Sequence, residues 1–349
     1  MRVCLMNDNF YRSSGVAIAI RRIAQASKGV DYYFAGCLDN GLPEDISWIP
    51  EGRYRRFDLK SSNPIRVISE LIRLRKWLDS EGCDLVHCHH RRISVLLQLA
   101  GVRVLYTAQL AFPYQTWFRW LHPKNMTAIT RSVAKNLVET TGQEPFACIG
   151  NPAQFPERAP SIDLEKVRFR AVCIARLDPV KGHTYLLSAW KLLHDKGYKY
   201  KLDLVGEGSL RSGLEEQSRR EGTQEVIRFC GFHTDVSTFI RDSLFAVLVS
   251  EIEGQGIVTL EAAAMGRPSL LTAVPGSIDL IPAGATLPNG VDFGDVEKLA
   301  EALEEWFGHP DKVVAEGQRF SEFLKSSSDP AKVAHDYLDA YRRILNGST

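Results

Sequence analysis

The sequence has no long apolar run and almost no net charge. No apolar stretch reaches the roughly 18 residues of a membrane-spanning helix, which argues against a helical membrane protein. The 43 basic and 42 acidic residues give a formal net charge of +1. A chain so balanced lacks the positive field typical of nucleic-acid-binding proteins, so we expect no nucleic-acid partner.

Cysteine is sparse, and its placement excludes a disulfide framework. The chain has seven cysteines, an odd number, at irregular spacing. They are Cys4, Cys37, Cys83, Cys88, Cys148, Cys173 and Cys230. We interpret them as reduced thiols. The first residues run straight into a predicted strand and lack a signal-peptide pattern, so the expected location is the cytoplasm.

What the sequence does contain is a regular alternation of elements. Apolar strand candidates alternate with amphipathic helix candidates, which predicts an α/β fold with largely parallel sheets. A turn-rich stretch, 150–160, separates two halves that repeat this alternation. We therefore predict two Rossmann-like doubly wound domains, 1–151 and 152–329, facing a central cleft. A C-terminal helix, 330–349, is expected to pack back towards the first domain.

The most informative segment is 250–268. Glu253 and Glu261 are eight positions apart, on either side of the glycine turn 254–256. The turn follows a predicted strand and precedes a predicted helix, whose first turns contain Glu261. A helix start favours an anion because its backbone N–H groups are free and its dipole is positive there, and glycine lets the backbone approach closely. The arrangement suits a nucleoside diphosphate sugar, with Glu253 at the sugar, the diphosphate on the loop amides and Glu261 at the ribose.

A second segment, 175–183, carries two cations between a predicted strand and a predicted helix. Arg176 and Lys181 therefore lie at the carboxyl end of a strand, where ligands of open sheets bind. A guanidinium and an ammonium group suit a diphosphate and can stabilise charge on a leaving group. A pair of surface cations beside a turn is the alternative, but the neighbouring glutamate segment favours the diphosphate role.

Together the two segments resemble the retaining glycosyltransferases of the GT-B fold, and most closely glycosyltransferase family 4. That family carries an Arg…Lys pair after the first strand of its second domain and a Glu-x7-Glu motif, as at Glu253 and Glu261 here. The glycine turn 204–208 and the strand end 229–232 are similar too. The resemblance is specific over 170–280 and looser in the first half, as expected if that half binds a variable acceptor.

The resemblance implies a role for individual residues. It makes Arg176, Lys181 and Glu253 the catalytic residues. It makes the following the donor-binding residues: Gly15, Gly206, Gly231, Phe232, Gly254, Gln255, Gly256, Ile257, Val258 and Glu261. The implied donor is a UDP- or GDP-type sugar, and the implied acceptor is a saccharide or a lipid-linked acceptor of cell-surface polysaccharide or lipopolysaccharide synthesis.

Metal-binding motifs are scarce. The sequence contains no Asp-x-Asp motif, whose carboxylates usually bind the divalent metal ion of a sugar nucleotide. We therefore expect no metal or cofactor. The Arg/Lys pair and the helix dipole would have to replace Mg²⁺. A run of cysteine and histidine over 83–90 is not interpreted as a zinc site, because no second cluster completes a tetrahedral set.

The first half offers acceptor-side candidates. Gly15, in the loop 12–16, matches a family loop in which two glycines are common, and a serine-capped helix start is the alternative. Gln109 stands where many family members place a histidine against the reacting sugar. An amide cannot exchange a proton near neutral pH, so His89 or His90 could fill that role. We take His89 and Gln109 as the candidates.

Two features of the sequence are compatible with peripheral contact at the inner face of a membrane. Aromatic residues are concentrated in 112–120. We favour ordinary packing of an irregular loop there over a protruding surface that contacts lipid. On the predicted helix 64–80, Arg66, Arg73 and Lys76 are predicted to lie opposite a face rich in isoleucine. A solvated basic face is favoured there over adhesion to anionic lipid.

Other functions stay open at this stage. The same scaffold could serve a sugar-nucleotide epimerase or a phosphorylase, although no cofactor lysine or separate phosphate site is evident for the latter. A non-catalytic sugar-nucleotide or glycan-binding protein is a further alternative. The sequence does not identify the sugar, the base or the acceptor.

Overall fold

The chain divides into two units. The structure, a computed structural model, describes residues 1–11, 14–37, 44–111 and 121–347. Unit 1 comprises Met1–Pro152 and Pro330–Thr349, and unit 2 comprises Ala153–Asp329. The sequence-based boundary at 151/152 and this division differ by one residue.

Unit 1 is built on a six-stranded parallel sheet in the order β3-β2-β1-β4-β5-β6. Its elements are β1 (Arg2–Asn7), α1 (Gly15–Ala26), β2 (Asp31–Gly36), β3 (Tyr54–Arg56), α2 (Pro64–Ser80), β4 (Leu85–Cys88), α3 (Arg91–Leu99), β5 (Val104–Ala108), β6 (Met126–Ala128) and α4 (Arg131–Thr141). The last helix of the chain, α12 (Pro330–Leu345), also belongs to this unit.

Both faces of this sheet are covered by helices. Alternate residues of β1 point to opposite faces, so Val3 and Leu5 join the core under α1 and α12, whereas Cys4 and Met6 join the core under α2 and α3. A strand buried on both sides reads as a continuous apolar run instead of an alternating one. The continuous apolar run of β1 agrees with the parallel sheet that the alternation of strand and helix candidates predicted.

Unit 2 repeats the design with five parallel strands in the order β11-β10-β7-β8-β9. Its elements are α5 (Leu164–Val167), β7 (Arg170–Ile174), α6 (His183–Asp195), β8 (Lys201–Val205), α7 (Arg211–Arg220), β9 (Ile227–Gly231), α8 (Ser237–Arg241), β10 (Phe245–Leu248), α9 (Ile257–Ala264), β11 (Ser269–Leu271), α10 (Val296–Gly308) and α11 (Pro310–Ser328). Short 3₁₀ turns lie at Pro179–Lys181 and Ile278–Leu280.

Strand order fixes where each unit can bind a ligand. In unit 2 the chain order reverses between β7 and β10, and in unit 1 it reverses between β1 and β4. Ligands of doubly wound sheets bind outside the carboxyl ends of the strands at such a switch point. The loops that follow these four strands are therefore the places to look for a site.

Two details of the unit 1 sheet do not follow from apolar runs in the sequence. The apolar segment 146–149 bonds β6 through its backbone, with Ile149 N–H donating to the Ala128 carbonyl oxygen at 2.8 Å, but it forms one isolated bridge, Ala128 with Cys148, and no regular strand. Conversely, β3 was not expected from the sequence. Its three residues, Tyr54–Arg56, include two arginines and give no apolar run to signal a strand.

The predicted orientation of α2 was also wrong. Its buried residues are Val67, Leu74, Trp77 and Leu78. Ile65, Ile68 and Ile72, which were expected to oppose the solvated face, are exposed by 76%, 58% and 53%. The helix carries two apolar stripes, and the one with the larger side chains, which includes Trp77, packs on the sheet.

Helix α12 is attached to the sheet of unit 1 through a buried polar chain. His87 of β4 forms hydrogen bonds through Nδ1 with the Tyr341 hydroxyl at 2.8 Å and through Nε2 with Thr107 Oγ1 at 2.7 Å. Thr107 in turn lies 2.7 Å from Thr127 Oγ1. The Tyr337 ring packs 4.8 Å from the imidazole. Burial lowers the pKa of His87 well below its ordinary value, so the chain is neutral.

We expect Tyr341→Phe to lower the free energy of unfolding by about 1–3 kcal/mol, because one ring nitrogen of fully buried His87 loses its partner. Urea unfolding followed by circular dichroism measures this. Tyr33→Phe is the matched control, since Tyr33 is a buried tyrosine of the same unit whose hydroxyl has no hydrogen-bond partner in the described residues. Equal unfolding midpoints for both variants would contradict the role of the chain.

Candidate active site

The loop after β7 presents the two predicted cations of unit 2. The Arg176 side chain is 60% exposed and its Nη1 lies 2.7 Å from Asp178 Oδ2. Lys181 ends the 3₁₀ turn, and Gly182 follows it with a positive φ of 68° as α6 begins. A Cβ on Gly182 would lie 2.1 Å from the carbonyl oxygen of Val249, so only glycine lets this loop pass the end of β10 so closely.

Three hydrogen-bond donors hold the side chain of Glu253, which lies in the loop after β10. Its Oε2 accepts from Lys181 Nζ at 2.8 Å and from Ser250 Oγ at 3.2 Å, and its Oε1 accepts from the backbone N–H of Gly254 at 3.1 Å. The Lys181 and Glu253 side chains are 18% and 13% exposed. The two groups thus form a largely buried ion pair that keeps some exposure to solvent.

The two loops are joined at the switch point between β7 and β10. Besides the Lys181–Glu253 ion pair, the backbone N–H of Glu251 donates to the carbonyl oxygen of Val180 at 2.8 Å. Two segments that are some seventy positions apart in the sequence therefore form one surface. The structure thus brings Lys181 and Glu253 into direct contact, whereas Arg176 bonds within its own loop.

Helix α9 begins beside this ion pair. Its cap residue, Gly256, has no side chain to accept from the first turn, so the free N–H groups are not satisfied by capping. Ile257 and Val258 are half-buried in the first turn, while Gln255 in the loop is 6% exposed. Glu261 lies one turn further along, also half-buried. This helix start has the chemistry of an anion site.

Two supports of the glycine loop were not recognised in the sequence. Gly276 has a φ of 93°, and a Cβ there would lie 1.9 Å from the carbonyl oxygen of Gly254. Thr272 Oγ1 donates to the carbonyl oxygen of Ser250 at 2.7 Å. Both residues follow β11, and the only sequence signal for them is a glycine and a hydroxyl after a predicted strand.

The ends of β8 and β9 hold the remaining predicted donor residues. Gly206 has a φ of 150°, and a Cβ there would lie 2.0 Å from the Ala175 carbonyl oxygen. Its N–H donates to the Gly231 carbonyl at 2.8 Å. Phe232, just beyond β9, is 46% exposed. These residues lie on the same carboxyl edge of the sheet as the two loops described above.

In unit 1, the two acceptor-side candidates contact each other. His89 follows β4 and Gln109 follows β5, with 3.0 Å between His89 Nδ1 and Gln109 Nε2. His89 Nε2 is buried and has no hydrogen-bond partner among the described residues. Burial lowers the pKa of His89 to about 3, so its imidazole is neutral and is a poor general base.

The loop before α1 forms the serine-capped helix start that the sequence left open as an alternative. Gly15 is the first residue of α1, and Ser14 caps the helix by accepting from the N–H of Ala17 at 3.3 Å. Residues 12 and 13 of this loop lie outside the described residues. The aromatic segment, 112–120, also lies outside them.

The histidine that follows the Lys181 loop, His183, is neutral. His183 is 1% exposed, and burial together with the charge of Lys181 lowers its pKa to about 4.

Among the described residues, no group of three His, Cys, Asp or Glu side chains could hold a metal ion. Within the same part of the chain, every helix is too short or too polar to cross a membrane.

Two solved structures share this arrangement of sheets. The crystal structure of Anabaena HepE in complex with UDP has a TM-score of 0.81 at 15% identity and covers 98% of this chain and 100% of that one. HepE in complex with UDP-glucose gives a TM-score of 0.80 at 14% identity and covers 98% of this chain and 99% of that one. The fold is therefore GT-B.

Sequence comparison adds the family. The "Putative glycosyltransferase EpsD" of Bacillus subtilis is 28% identical over 309 residues, covering 76% of this chain and 80% of that one. The capsular polysaccharide biosynthesis glycosyltransferase CapM of Staphylococcus aureus is 30% identical over 135 residues, covering 38% of this chain and 35% of that one. The family model for Glycosyltransferase Family 4 matches residues 14–153, and that for Glycosyl transferases group 1 matches residues 168–309. The chain is thus a glycosyltransferase of the GT-B fold, with a Glycosyltransferase Family 4 domain followed by a Glycosyl transferases group 1 domain.

Proposed function

We propose that the chain transfers a sugar from a nucleoside diphosphate sugar to a hydroxyl acceptor, with retention of configuration and without a metal ion. The observation that carries this proposal is the Lys181–Glu253 ion pair beside the glycine-capped start of α9. It combines an ammonium group and free N–H groups, which suit a diphosphate, with a carboxylate that suits sugar hydroxyls.

The donor is placed along the carboxyl edge of unit 2. The diphosphate lies on the N–H groups of Gly256 and Ile257 and on Arg176 and Lys181, which exchange their present carboxylate partners for phosphate oxygens. The ribose lies at Glu261. The base lies in the region of Gly231 and Phe232. A uridine nucleotide is supported by the UDP and UDP-glucose complexes of HepE, a fold relative, while a GDP-type donor remains the alternative.

The chemistry that we propose is a same-face substitution at the anomeric carbon. The acceptor oxygen forms a bond to that carbon on the face from which the nucleoside diphosphate departs. The carbon–oxygen bond to the phosphate breaks and its electron pair stays on the phosphate oxygen, which takes the proton of the acceptor hydroxyl. Arg176 and Lys181 stabilise the negative charge that builds on this phosphate. Glu253 orients the sugar and is not a nucleophile.

For the acceptor we propose a growing cell-surface glycan or a lipid-linked saccharide. The name of CapM, which refers to capsular polysaccharide biosynthesis, supports this class. His89 and Gln109 are the proposed acceptor-side contacts. With its Nδ1 facing Gln109 Nε2, His89 carries its proton on Nε2, and this buried N–H without a partner among the described residues is the proposed donor to an acceptor hydroxyl.

The proposal is tested in two steps. A thermal-shift panel of sugar nucleotides identifies the donor, and NMR then follows that donor with candidate acceptors in buffer containing EDTA. We expect a product whose anomeric coupling constant matches that of the donor. An isomerised sugar formed without acceptor would favour an epimerase. Binding without transfer or hydrolysis across all acceptors would favour a non-catalytic protein, and an inverted product would overturn retention.

Glu261→Gln is expected to weaken donor binding by about ten- to a hundredfold, because one charged hydrogen bond to the ribose is lost. The turnover of bound donor should change little, since the residue lies far from the reacting carbon in the proposed placement. Isothermal titration calorimetry with UDP measures the effect. Glu322→Gln, an exposed glutamate of α11, is the control. Unchanged affinity in Glu261→Gln would remove this residue from the site.

A further inference from the structure

A polar groove lies at the amino ends of the unit 2 strands, opposite to the proposed donor site. Arg170 and Lys201 are the first residues of β7 and β8, and Arg228 is the second residue of β9. The groove has a volume of about 460 Å³, and its charged and amide residues are Arg170, Lys201, Asp203, Gln224, Glu225 and Arg228. Five-residue strands separate their two ends by roughly 13 Å, so a ligand in this groove would be distinct from the donor.

Strand register explains why the charged side chains meet. Asp203 of β8 is the register neighbour of Arg228 on β9 and of Val172 on β7, so these three side chains lie on one face of the sheet. Arg170 stands two residues before Val172 and shares that face. Val172 and Val205 belong to the apolar core on this face, and the charged residues begin where that core ends.

Asp203 holds both guanidinium groups in place. Its side chain is 2% exposed, and Arg170 Nη1 lies 3.0 and 2.9 Å from its two carboxylate oxygens. Arg228 donates to the same two oxygens through Nε at 2.9 Å and Nη2 at 2.7 Å. A carboxylate that accepts four charge-assisted hydrogen bonds fixes the planes of both guanidinium groups, so little rotamer entropy remains to be lost on binding a ligand.

The groove has an excess of positive charge. One buried carboxylate compensates only one of the two guanidinium groups, so the Arg170–Asp203–Arg228 triad carries one net positive charge. Lys201 adds a second, because it is exposed and forms no ion pair within the described ranges. Glu225 offsets one of these charges, which leaves one net positive charge in the groove. Glu225 is exposed, so water screens its charge more strongly than that of the triad around buried Asp203.

Both guanidinium groups keep N–H donors for a ligand. In the part of the chain that the structure describes, Arg170 Nε and Nη2 and Arg228 Nη1 have no hydrogen-bond partner. The side chains of Arg170 and Arg228 are 26% and 61% exposed, so an anion can reach them. A purely structural role for Asp203 would need only one of these arginines as its counter-charge.

We propose that this groove binds the phosphate group of a small molecule. The edges of the two fixed guanidinium planes and the ammonium group of Lys201 supply donors for phosphate oxygens, and the exposed Gln224 amide adds another. A phosphate dianion gains more from this set than a monoanion does, because each added charge interacts with the excess positive charge. The site goes beyond the proposed function, since it lies at the other end of the sheet.

The test is isothermal titration of the full chain with inorganic phosphate and, separately, with glucose 1-phosphate, at constant ionic strength. Wild type is expected to show saturable binding. The double variant Lys201→Gln, Arg228→Gln should bind at least about tenfold more weakly, because it loses two charged donors. Asp203 keeps its two contacts from Arg170 in this variant, and its melting temperature reports whether the fold is intact. Tighter binding of glucose 1-phosphate would assign the site to a phosphorylated sugar, and equal binding would assign it to free phosphate.

A matched control removes one cation of each type elsewhere in unit 2. Lys312 of α11 and Arg158 are both exposed, so Lys312→Gln, Arg158→Gln makes the same change in net charge outside the groove. This control should bind phosphate like wild type. Wild type without saturable binding, or equal binding by wild type and a folded groove variant, would overturn the proposal and leave the triad a structural one.

The groove and the donor site can fail separately. Lys181→Ala should still bind phosphate like wild type, because Lys181 lies at the carboxyl end of the sheet. The groove variant should in turn bind UDP with wild-type affinity. Loss of phosphate binding in Lys181→Ala with binding retained in the groove variant would place the phosphate in the donor site and overturn the proposal.

Discussion

Arg176→Ala and Lys181→Ala are each expected to lower kcat by about a hundredfold or more. Both side chains lie after β7 at the switch point, next to the free helix start of α9. A preorganised charge contact to a leaving group is usually worth about two to three powers of ten in rate, or about 2.7–4 kcal/mol. Steady-state assays with saturating donor, once the donor is identified, measure this loss.

Lys181 has a structural partner as well as a proposed chemical one. Its removal leaves the Glu253 carboxylate, 13% exposed, without an ammonium group, so some loss of stability should accompany the loss of rate. Arg176 is 60% exposed, and its alanine variant should melt like wild type. The comparison therefore separates the rate effect from folding.

The controls for this prediction come from the same unit. Lys191 of α6 pairs with Asp195 one turn away, and Arg220 at the end of α7 is exposed. Lys191→Ala and Arg220→Ala remove a cation of each type without touching the site, so their turnover should equal that of wild type. Near-wild-type turnover of both Arg176→Ala and Lys181→Ala would refute the catalytic assignment.

Gly276→Ala is expected to disrupt the donor loop. The new Cβ would lie 1.9 Å from the Gly254 carbonyl oxygen, so either the loop or the segment after β11 must move. Left-handed backbone strain adds about 1–2 kcal/mol and overpacking about 1–3 kcal/mol, giving a loss of roughly 2–5 kcal/mol in stability. Since the displaced carbonyl belongs to the loop that precedes α9, donor affinity should fall below detection in calorimetry.

Gly284→Ala isolates the backbone term of this effect. Gly284 also has a positive φ, 75°, but no heavy atom of the described residues lies within 4 Å of an added Cβ. This control should lose only about 1–2 kcal/mol and bind donor normally. If the two variants proved equally stable and bound donor equally well, Gly276 would not support the loop.

Sequence patterns predicted those features that are local. The order strand, glycine turn, helix around Glu253 is contained in the continuous segment 245–264, so its identification needed no knowledge of packing. The contact of Lys181 with Glu253 was not predicted; it follows from the strand order in the structure, in which the first and fourth strands of unit 2 are neighbours. The partner of Arg176 depends on side-chain rotamers and was not predicted either.

Features that depend on packing were missed. Gly276 matters only because the chain after β11 passes within contact distance of Gly254, and no local signal marks that approach. The faces of α2 were misassigned because the helix carries two apolar stripes, and periodicity alone cannot tell which one packs on the sheet. The contact between His89 and Gln109 joins the ends of two strands, and it became visible only with the strand order.

A crystal structure of the chain with bound UDP tests the central claim most directly. We predict diphosphate oxygens at about 2.7–3.2 Å from the N–H of Gly256 or Ile257 and from Lys181 Nζ, with the Arg176 guanidinium turned from Asp178 towards them. UDP bound elsewhere, with this helix start empty and Arg176 still pointing to Asp178, would contradict it.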